Sequence, residues 1–392
     1  MNLLHLGDIH PRNDGTIAGK VIVDPATGQN QTLTDLTQSL DFVRRYATSA
    51  DTRCAFALLT GDLFDSPRPH ANEVRILMRF VLALADDLQV LIIAGNHDSS
   101  QNPLDATALE CFQGLRNVTV FDRPTMRGMF HNGEPVRFGF LPYPTKGRIL
   151  TQDAGKDASP EEVTAKINAG LTDILRSFQV HLDPMIPSVL LAHGSVATAK
   201  IGEQPRSLAY DIQIPLDECG AFTYVALGHI HQPQQVAPNA WYSGSLMRQS
   251  FGEEHEQKGF NLVTLAAGQP ARVTFIKNPH ARRYQTLRPV PIGQKIMDDE
   301  DMPDPTVVWR FKGQLTPEEY DQMRPPLQDL APTVPHFQPD VELRTEARAR
   351  DAGMATCLTM DEALRRALAD MSADDQDALL AKHHALLQEV DA

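Results

Sequence analysis

Five stretches within the first 231 residues each end an apolar run on side chains that bind metal ions. They are Leu4-His5-Leu6-Gly7-Asp8-Ile9-His10, Leu58-Leu59-Thr60-Gly61-Asp62, Leu91-Ile92-Ile93-Ala94-Gly95-Asn96-His97-Asp98, Leu190-Leu191-Ala192-His193-Gly194 and Val225-Ala226-Leu227-Gly228-His229-Ile230-His231. Each reads as a buried strand that opens into a loop carrying Asp, His or Asn. A lone Gly-Asp usually marks a turn and a lone His-x-His a surface, but five such ends in one chain point to a shared site. Asp8, His10, Asp62, Asn96, His193, His229 and His231 supply seven oxygen and nitrogen donors. Seven is too many for one tetrahedral zinc, and oxygen cages for calcium or magnesium do not use four imidazoles. Two divalent transition-metal ions sharing one carboxylate are therefore expected, with Mn²⁺ favoured over Fe and Zn.

Such a pair, about 3.5–4 Å apart, activates water, orients a phosphoryl group and stabilises an in-line displacement, which is phosphoester hydrolysis. His97 follows Asn96 and is expected beside the metals without binding them, placed to stabilise the phosphorane or protonate the leaving oxygen. Asp98 is expected to hold the His97 imidazole in one tautomer. The remaining nine histidines read as structural or surface residues.

Rigid elements must position these loops. A helix over 33–48, a strand over 55–59, a helix over 70–85 and a strand over 90–94 alternate as in a layered α/β fold, where ligands gather beyond the carboxyl ends of strands. Residues 103–116 read as helix, and 118–121 and 136–141 as strands, with Asn132-Gly133 a hairpin turn between them. Ser159-Pro160-Glu161-Glu162 is a capping box that predicts a helix over 160–178. Strands over 188–192 and 224–227 carry the last two motifs, and 241–242, 260–265 and 273–276 extend the sheet layer. Residues 11–31 form a long polar excursion at the site's edge, with a small hairpin around Lys20 to Val23.

Prolines at 279, 289, 291, 303 and 305 with the acidic run 298–301 read as a linker. Beyond it, a strand over 306–311, a helix capped by Thr316-Pro317-Glu318-Glu319 and a strand over 341–343 make a small α+β unit. Thr359-Met360-Asp361-Glu362 and Ser372-Ala373-Asp374-Asp375 each open a short helix, the second with Leu379, Leu380, His383, Leu386 and Leu387 on one face. The expected division is 1–278, 279–352 and 353–392.

With 42% hydrophobic and 22% charged residues, the 392-residue chain has the composition of a globular protein rather than a fibre or a disordered chain. It shows no signal-like N-terminus and no run of about 18 apolar residues, so no membrane attachment is expected. Cys54, Cys111, Cys219 and Cys357 form no CxxC pair, which excludes a disulfide framework and a thiolate zinc site and fits a reducing cytoplasm. The net charge of −14 is uneven, because residues 298–392 carry −12 of it. From 257 to 297 there is no acidic residue, only Lys258, Arg272, Lys277, Arg282, Arg283, Arg288 and Lys295, either a solvated strand edge or a surface that tracks phosphates.

Asp8-x-His10, Gly61-Asp62, Gly95-Asn96-His97-Asp98, His193 and Gly228-His229-x-His231 resemble the five signatures of calcineurin-like metallophosphoesterases. Within that superfamily the chain is most similar to the SbcD family of nuclease subunits, through Gly61-Asp62-Leu63-Phe64-Asp65, through Tyr242-Ser243-Gly244-Ser245-Leu246 leading to Ser250-Phe251-Gly252-Glu253, and through the capped helices from Thr359 to Gln388. The resemblance is strongest up to about residue 265. It implies a two-layered β-sandwich flanked by helices, a small α+β capping domain that orients DNA, and C-terminal helices that dock on an SbcC-like coiled-coil ATPase. It also implies that Asp8, His10 and His231 hold one metal, that Asn96, His193 and His229 hold the other, and that Asp62 bridges them while His97 acts on the phosphate. A homodimer within a heterotetramer and a role in DNA double-strand break repair and hairpin processing follow in the same way. The acidic last 95 residues fit partner docking better than DNA gripping. Where the family commonly continues its first motif with Leu-Gly, this chain has Pro11-Arg12. Competing expectations are a cyclic-nucleotide phosphodiesterase or nucleotidase, and a catalytically lapsed DNA-end scaffold.

Overall fold

The computed structural model describes residues 1–100, 107–144, 159–200, 212–291, 294–297, 304, 306–334 and 336–344, and, further on, 368, 376–377, 379–380 and 382–383. In chain order the elements are β1 (Asn2–Leu6), α1 (Gln31–Thr48), β2 (Cys54–Leu59), α2 (Ala71–Ala85), β3 (Gln89–Ile93), β4 (Val118–Phe121), β5 (Thr125–His131), β6 (Glu134–Leu141), α3 (Pro160–Gln179), β7 (Ser188–His193) and β8 (Tyr224–Gly228). There follow β9 (Gln234–Ala237), β10 (Ala240–Tyr242), β11 (Gly259–Thr264), β12 (Arg272–Lys277), β13 (Arg283–Leu287), β14 (Val307–Leu315), α4 (Pro317–Leu330) and β15 (Phe337–Leu343).

Two six-stranded sheets carry the fold, one in the order β12-β11-β1-β2-β3-β4 and one in the order β5-β6-β7-β8-β10-β9. Neighbours β1, β2, β3 and β4 are parallel, as are β6, β7 and β8. Parallel strands are covered on both faces, so they read as continuous apolar runs rather than alternating ones. Leu4, Leu6, Ala57 and Leu59 face α1 and α2, where Leu36, Leu40, Val43, Leu77 and Phe80 complete one core. Leu3, Phe56, Leu58, Leu91 and Ile93 point the other way and meet Phe138, Phe140, Val189, Leu191 and Tyr224 between the sheets. On the far side Ile167, Leu171 and Leu175 of α3 cover Leu190, Ala192, Val225 and Leu227. The layers are thus helix, sheet, sheet, helix, the expected sandwich.

Local signals account for the element ends. Ser159 and Glu162 form the capping box of α3, and His70 and Glu73 form one at α2. Asn132 and Gly133 turn with positive φ (51° and 83°), as a tight hairpin requires.

Three expectations differ, and one strand, β5, was not anticipated. Within 103–116 the described part is a short 3₁₀ turn, Ala108–Phe112. Around Lys20 to Val23 there are isolated bridges, Ile17 to Lys20 and Val23 to Asn30, instead of a strand hairpin. The half-exposed edge strand β5 pairs antiparallel with β6, although its residues show no clean alternation. Within the proline-rich stretch, β13 pairs parallel with β14, and β15 completes a third sheet.

Two compact units are distinguished: Met1–Lys312 with Leu327–Asp340, and Gly313–Pro326 with Val341–Ala392. In the second, Thr316 caps α4 reciprocally with Glu319. The expected helices from Thr359 to Gln388 lie almost wholly outside the described residues. Among the described residues no helix is long and apolar enough to cross a membrane, and Cys54, Cys111 and Cys219 are free thiols.

Candidate metal centre

The five motifs sit at the carboxyl ends of β1, β2, β3, β7 and β8. Asp8, Asp62 and Asn96 come from the first sheet, and His193, His229 and His231 from the second. The first two loops are bonded directly, with Asp8 N donating to Gly61 O (3.1 Å) and Ile9 N to Asp62 O (2.9 Å). Asp8, His10 and Asp62 adopt left-handed backbone, with φ of 52°, 44° and 50°. Asp and His are among the side chains that tolerate it. The third loop passes so close to the second that a Cβ on Gly95 would lie 2.1 Å from Asp62 Oδ1.

Side chains converge as a double cluster. Ligand atoms of Asp8, His10 and His231 lie within 4.8 Å of one another, and so do those of Asp62, His193 and His229. Asn96 Oδ1 is 3.0 Å from His193 Nε2 and 3.0 Å from His229 Nδ1. Asp62 Oδ2 joins the groups, at 3.4 Å from His193 Nε2 and 3.6 Å from His10 Nε2. All seven predicted donors are therefore brought together, and one carboxylate oxygen faces both clusters.

The surroundings fit cations. His10 is 5% exposed; Asp65 Oδ1 lies 3.2 Å from its Nδ1, but its Nε2 makes no hydrogen bond. A buried polar group left this way is costly unless an ion completes it. His193 donates from Nδ1 to Thr60 O (2.7 Å), which turns Nε2 toward Asn96 Oδ1 and Asp62 Oδ2, an arrangement that a proton satisfies in the metal-free protein and that a cation can satisfy in its place. Although burial disfavours its charged form, Asp62 and Asp8 raise the His193 pKa to about 9. Despite its own burial, Asp62 is held well below the carboxylate range by His193, His10 and His97. Burial, opposed by His193 and His231, raises Asp8. Burial and then His193 push His229 down to about 3, keeping it in the neutral form that ligates metal.

His97 stands at the rim with its side chain 43% exposed. Its backbone N donates to Asp62 Oδ1 (2.9 Å), and its Nδ1 lies 3.1 Å from Asp65 O. The expected Asp98 partnership with His97 is corrected here. Asp98 is fully buried and its carboxylate accepts from Phe64 N and Gly95 N, both at 2.9 Å, so it ties the second loop to the third. Burial, and then Asp62, raises its pKa to about 6.

Three further residues escape sequence reasoning. Asp65 is 3.2 Å from His10 Nδ1 and accepts from Arg12 Nε at 2.9 Å. Glu253 accepts from His231 Nδ1, and the buried Lys258 contacts Glu253. The signal for Asp65 was its place three residues after Asp62, and for Glu253 the Ser250-to-Glu253 run, but neither spacing reports the contact.

A family model described as calcineurin-like phosphoesterase matches residues 1–233. Over 238 residues the chain is 24% identical to the SbcD component of the nuclease SbcCD of Staphylococcus epidermidis, an alignment covering 59% of this chain and 60% of that one. The chain thus spans about 60% of the length of the curated relative it matches. Two solved structures are similar at 13% identity. The NAD nucleotidase NadN of Haemophilus influenzae gives a TM-score of 0.36, with 70% of this chain and 55% of that one covered. The sulfate thiohydrolase SoxB of Thermus thermophilus gives 0.33, with 70% and 56% covered.

Proposed function

This chain belongs to the calcineurin-like phosphoesterase family, a family of metal-dependent hydrolases, and from that premise we propose that it is a DNA nuclease of the SbcD type. Asp8, His10 and His231 hold one divalent ion, Asn96, His193 and His229 hold the second, and Asp62 is shared. The observation that carries this reading is Asp62 Oδ2 lying 3.4 Å from His193 Nε2 and 3.6 Å from His10 Nε2. When bound, the two cations supply Lewis-acid charge to the phosphate and to the attacking water. Mn²⁺ is the ion we put forward for the tests, since three oxygen and four imidazole donors do not by type alone decide among Mn, Fe and Zn.

The protein's own groups do the rest. His97, with its Nδ1–H held on the Asp65 carbonyl, presents Nε2 at the rim; in the imidazolium form that atom donates to the phosphate and then to the leaving oxygen. Asp98 fixes the loop that carries Asn96 and His97, and Asp65 orients His10 and Arg12.

DNA as substrate is supported by the nuclease relative and by the wholly basic charge of 257–297. An SbcC-like coiled-coil ATPase as partner, with a homodimer inside a heterotetramer, follows from the same resemblance, and the acidic residues 298–392 suit that docking role. Free Cys54, Cys111 and Cys219 fit a reducing cytoplasm. The test is to offer the full-length protein and its Asp62→Asn variant single-stranded, double-stranded and hairpin DNA with Mn²⁺, and cyclic nucleotides alongside. Cleavage of DNA by the native chain alone supports the reading. Hydrolysis of cyclic nucleotides without DNA cleavage makes it a small-molecule phosphodiesterase, and absence of any hydrolysis makes it a scaffold.

A further inference from the structure

We propose that the cavity beside His231 is a nucleobase subsite, which rests on the nuclease reading and adds a recognition element to it. The cavity, about 360 Å³, begins where the chain leaves the metal centre. Gln232 and Pro233 directly follow His231 and line it. Gln257 lines it too and precedes Lys258, whose Nζ donates to His231 O at 3.2 Å. The volume falls within the range of small-molecule pockets.

Of its aromatic side chains Tyr242 is buried, while Trp241 from β10 and Phe275 from β12 come from different sheets and are half-buried. The cavity therefore lies at a margin of the sandwich where an apolar surface remains open to a flat ligand. Its polar lining is mainly carboxamide. Asn261, 1% exposed, lines it as well, and its side chain is engaged by the hydroxyl of the buried Tyr224. The edge of a base offers donors and acceptors to the carboxamides of Gln232 and Gln257.

Charge selects among ligands. No lysine or arginine lines the cavity, and the one carboxylate there, Glu256, is already bonded to Lys258 Nζ at 2.7 Å. A phosphate finds no lysine or arginine there, and an aliphatic ligand covers the carboxamides of Gln232 and Gln257 without bonding them. A neutral planar heterocycle with donors and acceptors on its edge satisfies both aromatic and amide walls, as unpaired bases do on aromatic platforms. The occupant is the base of an unstacked nucleotide next to the phosphate held at the metals.

The experiment measures binding of the full-length protein, in EDTA, to a fluorescein-labelled single-stranded oligodeoxynucleotide and to an all-abasic strand of equal length. Native protein is expected to prefer the base-bearing strand about tenfold. Trp241→Leu and Gln257→Leu are each expected to remove that preference; Gln257 is exposed, so its substitution leaves the core intact. With Mn²⁺, cleavage of the abasic strand at saturation is expected to be equal in all three proteins. Absence of preference in the native protein, or its persistence in a folded Gln257→Leu variant, overturns the subsite. Failure of every protein to cleave either strand strikes the nuclease reading instead, while the binding comparison still judges the subsite.

Discussion

His231 donates from Nδ1 to Glu253 Oε1 at 2.8 Å, which leaves Nε2 as the lone-pair nitrogen facing the cluster with Asp8 and His10. Glu253 Oε2 meets Lys258 Nζ at 2.7 Å, and Lys258, 1% exposed, also meets Glu256 at 2.7 Å. Although burial works against it, His231 and Lys258 hold the Glu253 pKa down at about 2. A buried cation thus fixes a carboxylate that fixes the tautomer of a proposed metal ligand.

Glu253→Gln is expected to weaken Mn²⁺ binding about 10–100-fold, the usual effect of removing a carboxylate behind a ligating histidine. Calorimetric titration of the metal-free protein checks it, and unchanged affinity would reduce Glu253 to a packing role. Lys258→Met strands two buried carboxylates and is expected to cost roughly 3–5 kcal/mol of stability in urea unfolding.

Asp62→Asn removes the main charge that raises His193. Burial then prevails, and the His193 pKa, about 9 in the native metal-free protein, is expected to fall below 6.5. Imidazole proton resonances followed through a pH titration report it directly. A His193 that still titrates near 9 would assign its charge to Asp8 instead.

Gly95→Ala replaces no proposed ligand, yet the new Cβ would lie 2.1 Å from Asp62 Oδ1 and 2.4 Å from Asp62 N. Neither the backbone nor the carboxylate proposed to bridge the ions can move without opening the centre. The variant is expected to lose the thermal stabilisation that Mn²⁺ confers on the native chain, seen by melting with and without metal. A native-like metal shift would mean the two loops separate freely.

His5 is fully buried between the sheets, with Nδ1 2.7 Å from Tyr224 Oη and Nε2 3.2 Å from Leu227 O. Burial lowers its pKa from 6.5 to about 3. Below pH 6.5 the unfolded chain takes up a proton that the folded chain refuses until about pH 3, so stability falls with pH across that window. Between pH 6.5 and 5 the loss from this group is on the order of 2 kcal/mol. Urea midpoints for native protein and His5→Gln across that range check it: the variant's slope should be shallower, and equal slopes would assign the acid sensitivity elsewhere.

Much of this was legible from local signals. Apolar runs ending at glycine located all five strand ends, and Ser159 with Glu162 or Asn132 with Gly133 located a helix start and a turn because those devices are satisfied within four residues. What escaped depends on partners distant in sequence. Asp98 follows His97, but adjacency does not give direction: the loop sends the carboxylate inward to Phe64 N and Gly95 N and leaves the imidazole at the rim. His5 read as one more ordinary histidine, although alternation along β1 puts it with Leu3 between the sheets. The strand β13 hid among prolines because its pairing partner lies some 20 residues on.

The division of the donors has a consequence of its own. Apart from His10, one layer supplies oxygen and the other nitrogen, so any ion held there is a rivet across the seam of the sandwich. Copies made while metal is scarce keep the same core but lack the rivets, and that end parts more often.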